Sequence, residues 1–272
     1  RPPYGFLHQG NQDETEFAAN AASWLEDKII EIGASYVAAF VAEPIQGAGG
    51  VIVPPAGYFK HIQEICRRHD ILFVADEVIT GFGRTGQWFA SQTMELEPDM
   101  MALAKGLTSG YVPMSAVMVG DRVANKLVAD GGEFYHGFTY SGHPVAAAVA
   151  LANLELIERE DMITRVREDT GPYLAEALAP LAEHRIVGEI RTFGVLAAIE
   201  LVKSKDGPEM FEDTGATGVI CRDHAINFGL MMRAVRDAMI MSPALTYSRA
   251  DIDETVRIAA QALDATADQL GL

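Results

Sequence analysis

The chain has 272 residues, 49% hydrophobic, 22% charged and 8% aromatic, the balance of an ordinary globular protein and not of a disordered or fibrous one. Thirty-eight acidic side chains against 21 basic ones give a net charge of −17. That field repels phosphate backbones and anionic head groups, which argues against nucleic acid or a membrane surface as a partner. No apolar run approaches the roughly 20 residues of a membrane span. The two cysteines, Cys66 and Cys221, are too few for a disulfide framework and read as reduced thiols of a cytoplasmic protein. No signal-peptide pattern is read at the start, and the chain opens on Arg1-Pro2-Pro3-Tyr4 without a methionine.

Apolar residues at helical spacing (Phe17, Ala21, Trp24, Leu25, Ile29, Ile32) predict a helix over 17–32 that stops at Gly33. The run 37–42 is continuously apolar and too short for a helix, the pattern of a strand buried on both faces. A Gly/Pro-rich loop covers 44–57, a helix covers 58–69, and 71–75 reads as a second buried strand. Two further short strands fall at 100–104 and 115–119. The alternation predicts an α/β fold with a mostly parallel sheet and helices on its faces.

After His143-Pro144 the texture changes. An alanine-rich helix covers 145–159, a second covers 162–183 with an interruption near Gly171-Pro172, and short strands follow at 194–201, 230–234 and 239–241. A last helix starts at Asp251 or Asp253, acids well placed against the positive end of its dipole. The layout predicts two domains, a larger one over 1–147 and a smaller α+β one over 148–272.

Two positions carry chemistry. Asp76 closes the apolar run Ile71-Leu72-Phe73-Val74-Ala75, which puts a carboxylate at the carboxyl end of a strand, where ligands gather in open α/β sheets. A buried carboxylate needs a cation against it; the plainer alternative is a loop cap. Lys105 closes the run Met100-Met101-Ala102-Leu103-Ala104. Lysine is rarely buried, so it either reaches from the strand end into water or is a Schiff-base lysine. In the second case an apolar pocket lowers its pKa from roughly 10.4 and frees the amine as a nucleophile. Gly106 beside it would let a bulky ligand approach the backbone. A carboxylate and an amine at one sheet edge match the needs of pyridoxal phosphate, whose protonated ring is an electron sink. Side chains too far apart to touch one such ring, or either of them pointing into bulk solvent, would end the case for the pair.

Longer motifs surround these positions: Ala42-Glu43-Pro44-Ile45-Gln46-Gly47, Ala75-Asp76-Glu77-Val78 with Gly81-Phe82-Gly83-Arg84-Thr85-Gly86, Ala104-Lys105-Gly106-Leu107, the stretch His136 to Pro144, and Met241-Ser242-Pro243. In order and spacing they resemble the class III pyridoxal-phosphate aminotransferases, nearest the ω-amino acid:pyruvate and amine:pyruvate branch. The resemblance implies a fold-type I transferase that is a homodimer with its active site at the subunit interface. It implies pyridoxal 5′-phosphate as cofactor, no metal, and an amine or ω-amino acid donor with a keto acid such as pyruvate as acceptor. It implies that Lys105 is the catalytic Schiff-base lysine and Asp76 the partner of the ring nitrogen. Val78, further along the same strand, would lie on the ring face; alone it reads as plain core. Phe138 and Thr139 would reach the phosphate of the neighbouring subunit; alone they read as a turn. Glu43 and the segment 47–50 would belong to the floor of the site, with Glu43 structural.

Arg233 aligns with the arginine that takes the keto acid's carboxylate, a bidentate pairing, with Arg236 as the nearby competitor. Ala48 and Ile79 stand where relatives acting on ornithine or γ-aminobutyrate tend to carry an acid and a glutamine, which makes those substrates poorer matches. The likeness is to the C-terminal three-fifths of a family member, so the phosphate-cradling turn is expected to be missing and cofactor retention by these residues alone to be weak. Other readings are a different reaction of the same class, an aminomutase or decarboxylase, and a non-catalytic dimerising remnant.

Overall fold

The computed structural model describes residues 2–131, 133–205 and 209–272. The chain divides into two compact units. One comprises Arg1–Ile45, Pro54–Gly83 and Gln87–Ile163; the other comprises Gln46–Val53, Arg84–Gly86 and Thr164–Leu272. This division differs from the expected one at 147/148, which falls inside the helix Pro144–Arg159. A helix hydrogen-bonded along its whole length is not cut by a change in composition, so it stays with the first unit.

In the first unit, β1 (Ala39–Ala42), β2 (Leu72–Asp76) and β3 (Met100–Leu103) run parallel in that order, and β4 (Ala116–Val119) pairs antiparallel with β3. The first helix of length, α2 (Glu14–Ile32), follows the single turn α1 (Gly5–His8). Asp13 caps α2 by accepting the Glu16 N–H at 2.8 Å, and Gly33 ends it at φ +91°. Its apolar stripe, Phe17, Ala18, Ala21, Ala22 and Ile29, packs on Phe59, Ile62 and Ile65 of α3 (Tyr58–Arg68) and on Phe73 of β2. The aromatic rings of Phe59 and Phe73 lie 5.9 Å apart, a tilted contact of the kind rings prefer. The remaining helices are α4 (Ala90–Thr93), α5 (Asp121–Asp130), which has no counterpart in the sequence reading, and α6 (Pro144–Arg159).

The expectation that β1 is buried on both faces does not hold. Phe40 and Ala42 pack toward the α2/α3 core, while Val41 is 61% exposed. Alternating side chains point to opposite faces, and among the described residues only one face of β1 is covered. On β4 the side chains of Val117, Met118 and Val119 are likewise exposed.

In the second unit, β5 (Val187–Phe193), β6 (Leu196–Leu201), β7 (Arg233–Val235) and β8 (Ala238–Met241) form an antiparallel sheet in the order β5-β6-β8-β7. Every residue of β6 is buried. The expected helix over 162–183 is instead a succession: α7 (Met162–Arg165), a π-helical turn Val166–Thr170, α8 (Gly171–Leu178) and a 3₁₀ turn Ala179–Glu183. Pro172 has no N–H to donate and Pro180 none either, so the ladder changes register at both. The unit is completed by α9 (Ala216–Asn227) and α10 (Arg249–Leu270). The last helix begins before Asp251. Ser248 is its cap, accepting the Asp251 N–H while the Asp251 carboxylate accepts the Ser248 N–H, the reciprocal capping box. Among the described residues, no helix is long and apolar enough to cross a membrane.

Candidate active site

Parallel strands β2 and β3 end side by side, and the sequence places a charged residue at each end. In the ladder Asp76 stands opposite Ala102. Lys105 comes three residues later, in the 3₁₀ turn Lys105–Leu107, so strand spacing and rise keep the two Cα atoms within about 11 Å. Both belong to the first unit. Asp76 is half-buried. Its Oδ1 accepts the Val78 N–H at 3.1 Å, which is the loop cap expected as the plainer alternative, and no described residue forms an ion pair or another hydrogen bond with its second oxygen. The Lys105 amine has no hydrogen bond or ion pair with the described residues either. A carboxylate oxygen and an amine, each without a partner among the described residues, thus share one sheet edge.

Lys105 departs from expectation in one respect: it is exposed and does not lie in an apolar pocket. Burial in the turn begins with Leu107 and Thr108, beyond the lysine. Its backbone is held at φ +38°, a left-handed conformation that costs a residue with a Cβ about 1–2 kcal/mol. Phe82, at φ +61°, faces the same turn. A Cβ on Gly106 would lie 3.0 Å from both Cβ and Cδ2 of Phe82. Gly106 is therefore small because Phe82 packs on it, and the bulky neighbour expected there is a side chain of the protein itself. The ring of Phe82 in turn meets that of Phe89 edge-on at 5.6 Å.

The residue after Asp76 points the other way and is wholly buried. Glu77 accepts four hydrogen bonds: Thr80 Oγ1 at 2.5 Å and the Ala90 N–H at 3.0 Å on Oε2, the Ser91 N–H at 2.6 Å and Ser91 Oγ at 2.7 Å on Oε1. It ties the loop after β2 to the start of α4. The sequence reading assigned it nothing, although strand alternation puts adjacent residues on opposite faces. Val78 is not on the strand as expected; β2 ends at Asp76, and Val78 is half-buried in the turn that follows.

A second missed residue is Asn153 on α6. Its Nδ2 donates to the carbonyls of Gly106 at 2.8 Å and Leu107 at 3.1 Å, and its Oδ1 accepts from Ser109 Oγ at 2.7 Å. It holds the turn that carries Lys105 from the side.

Phe138 and Thr139 lie in an exposed turn before α6. Ser141 Oγ accepts the Phe138 N–H at 2.9 Å, and the Thr139 side chain has no hydrogen bond among the described residues. Phe138 is 81% exposed and, with Tyr140, His143, Val112 and Met114, lines a cavity of about 740 Å³ within the first unit. Among the described residues, no hydrogen bond links this turn to Asp76 or Lys105. Arg233 is exposed on β7 in the second unit, opposite Ile240 of β8, and has no ion pair among the described residues. Arg236 is exposed in the β7–β8 turn at φ +53°. Asp237 beside it is buried and accepts the N–H groups of Gly215 and Gly218 at 2.8 and 2.9 Å, capping α9.

Comparison with known proteins agrees with this architecture. The family described as aminotransferase class-III matches residues 3–263. The putrescine–pyruvate aminotransferase of Pseudomonas aeruginosa is 54% identical over 265 residues, 97% of this chain and 58% of that protein. The mitochondrial gamma aminobutyrate transaminase 1 of Solanum lycopersicum is 40% identical over 268 residues, 97% of this chain and 52% of that protein. The crystal structure of the omega transaminase from Pseudomonas jessenii in complex with PMP superposes with a TM-score of 0.94 at 41% identity, over 99% of this chain and 60% of that one. The chain therefore spans less than three-fifths of the length of these two curated relatives. It belongs to the class-III aminotransferase family.

Proposed function

We propose that the protein is a pyridoxal 5′-phosphate-dependent transaminase that moves an amino group from an amine or ω-amino acid to a keto acid such as pyruvate. The observation that carries this reading is the unpartnered pair at the ends of β2 and β3, Asp76 Oδ2 and the Lys105 amine. The donor set suits that cofactor: a carboxylate for a protonated ring nitrogen and a primary amine for its aldehyde carbon. When bound, the cofactor supplies an electron sink for the charge left when a proton leaves the donor carbon. Asp76 holds the proton on the ring nitrogen. The Lys105 amine would anchor the cofactor's aldehyde carbon and, once free of it, would take the proton from the donor carbon and return it to that aldehyde carbon. Val78 packs on the ring, and Phe138 and Thr139 serve the phosphate across a homodimer interface. Phe134, Tyr135, Phe138 and Tyr140, close together in the sequence, are all exposed, apolar surface of the sort that association covers. Arg233 takes the carboxylate of the keto acid through a bidentate pair.

The exposure of Lys105 weighs against this reading; the strand register and the family weigh for it. The relative named for putrescine and pyruvate is more similar than the one named for γ-aminobutyrate, the direction in which Ala48 and Ile79 lead. The net charge of −17 and the two free, buried thiols suit a cytoplasmic protein. The test is turnover with an amine donor and pyruvate, followed by the visible absorbance of bound cofactor and by alanine formation. Turnover needs both substrates, and product analysis separates transamination from a mutase or decarboxylase. Lys105→Ala abolishes it; a normal rate in that variant overturns the reading, and no bound cofactor in the protein as supplied favours the non-catalytic alternative.

A further inference from the structure

We propose that Asn153 is a positioning residue for Lys105, a clamp on α6 that fixes the strained turn from which the lysine is presented. This rests on the reading of Lys105 given above. Lys105 has no side-chain partner of its own among the described residues and sits at φ +38°, so its direction is set by the backbone that follows it. That backbone is short of internal bonds. The Leu107 N–H reaches the Ala104 carbonyl at 2.9 Å, but the Thr108 and Ser109 N–H groups reach the carbonyls of Lys105 and Gly106 only at 3.3 Å, long for an amide bond. Asn153 adds what the turn lacks. Its amide nitrogen donates to the carbonyls of both Gly106 and Leu107, and its oxygen takes the Ser109 hydroxyl. The middle and the C-terminal end of the turn are thereby joined to a sixteen-residue helix, which is stiffer than a single 3₁₀ turn.

The chemistry of the contact is specific. Carbonyl oxygens only accept, so the group facing Gly106 and Leu107 must be a donor. Asn153→Asp keeps the shape and replaces that donor with a carboxylate oxygen against two carbonyl oxygens. Asn153→Ala merely leaves the carbonyls to water. A clamp is therefore damaged more by the isosteric acid than by the truncation, whereas a packing role gives the opposite order.

Two readouts separate clamp from lysine. Hydrogen exchange over 104–111 measures the turn without any cofactor. Borohydride trapping of pyridoxal phosphate, read by peptide mass, measures Lys105 against the reference lysines Lys28, Lys60 and Lys126 in the same sample. Asn153→Asp is expected to speed exchange in the turn and to lower selective trapping at Lys105 about tenfold, with Asn153→Ala between it and the parent. Ser109→Ala, which removes only the bond to Oδ1, follows in the same direction with a smaller effect and serves if the acid variant does not fold. Unchanged exchange in these variants, or Asn153→Ala worse than Asn153→Asp, overturns the clamp. Faster exchange with unchanged trapping overturns its positioning role. Trapping in the parent that does not favour Lys105 overturns instead the assignment of that lysine, and exchange still decides on the clamp.

Discussion

The two units treat charge in opposite ways. In the second, the buried charges are neutralised by neighbours: Arg191 binds Glu200 at 2.8 Å and Glu189 at 2.5 Å, and Asp237 holds two backbone N–H groups of α9. Its central strand β6 is buried on both faces. In the first, the sheet leaves side chains of β1 and β4 bare and carries at its carboxyl edge a carboxylate and an amine that the described residues do not satisfy. Glu77 and Asp76 repeat the contrast one residue apart. Charge that is paired builds architecture, and charge left unpaired at a strand end is available for chemistry.

The sharpest break in the architecture comes from Arg191. Its guanidinium is 7% exposed and also binds the carbonyls of Gly50, at 2.7 Å, and Val51, at 3.2 Å, so it fastens the segment Gln46–Val53 to β5. Arg191→Met takes the ion pair from the buried Glu200 carboxylate and is expected to cost about 3–5 kcal/mol in denaturant unfolding. Adding Glu200→Met recovers part of that loss; no recovery means the loss came from the backbone contacts instead.

Next in size is Glu77→Gln. Each of the four hydrogen bonds to Glu77 comes from a donor, two on each oxygen. Either orientation of the glutamine amide turns its NH₂ toward one hydroxyl, which can rotate to accept, and one buried backbone N–H, which is left unsatisfied at about 2 kcal/mol. Thermal unfolding followed by circular dichroism checks it.

How much of this could be read from the chain follows from where each partner comes from. The strands β1–β4, β6 and β8, the helices α2, α3, α6 and α10, and the placing of Asp76 and Lys105 at strand ends rest on local patterns and were legible, whereas β5 and α9 had no counterpart in the sequence reading and the helix expected over 162–183 is broken. Glu77 was not, because its donors Ala90 and Ser91 come 13 and 14 residues later in a one-turn helix with no periodicity to announce it. Asn153 was one amide in an alanine-rich helix, and nothing in helical spacing says which loop it faces. Gly106 was read as room for a ligand because Phe82, which fills that room, needs an unusual φ to do so. The segment 46–53 was assigned to the first domain by order along the chain, whereas the buried Arg191 holds it to the second unit.

A control follows in which the two units behave alike. Burial pushes the thiols of Cys66, in the first unit, and Cys221, in the second, up to about 11. An unfolded thiol ionises near 8.5, so between those values the folded state binds more protons than the unfolded one. Stability is then full below about pH 8.5 and declines as pH rises toward 11. The melting temperature falls over that window, and Cys66→Ala with Cys221→Ala flattens the fall. At pH 8 both thiols alkylate slowly without denaturant.

The smallest effect on stability is expected where the effect on chemistry is large. Asp76→Asn keeps an oxygen for the Val78 N–H, the one hydrogen bond the side chain makes among the described residues, and it removes a charge that no ion pair there requires. Unfolding should shift by less than about 0.5 kcal/mol. Turnover should nevertheless fall about 10²-fold, because an amide cannot hold a proton on a ring nitrogen as a carboxylate does, and a charged hydrogen bond is worth about 3 kcal/mol at the reacting group. Measuring both on the same preparation sets Asp76 against Glu77. If Asp76→Asn destabilises the fold as much as Glu77→Gln and leaves turnover intact, adjacent carboxylates are doing the same structural work, and the division of labour between paired and unpaired charge is lost.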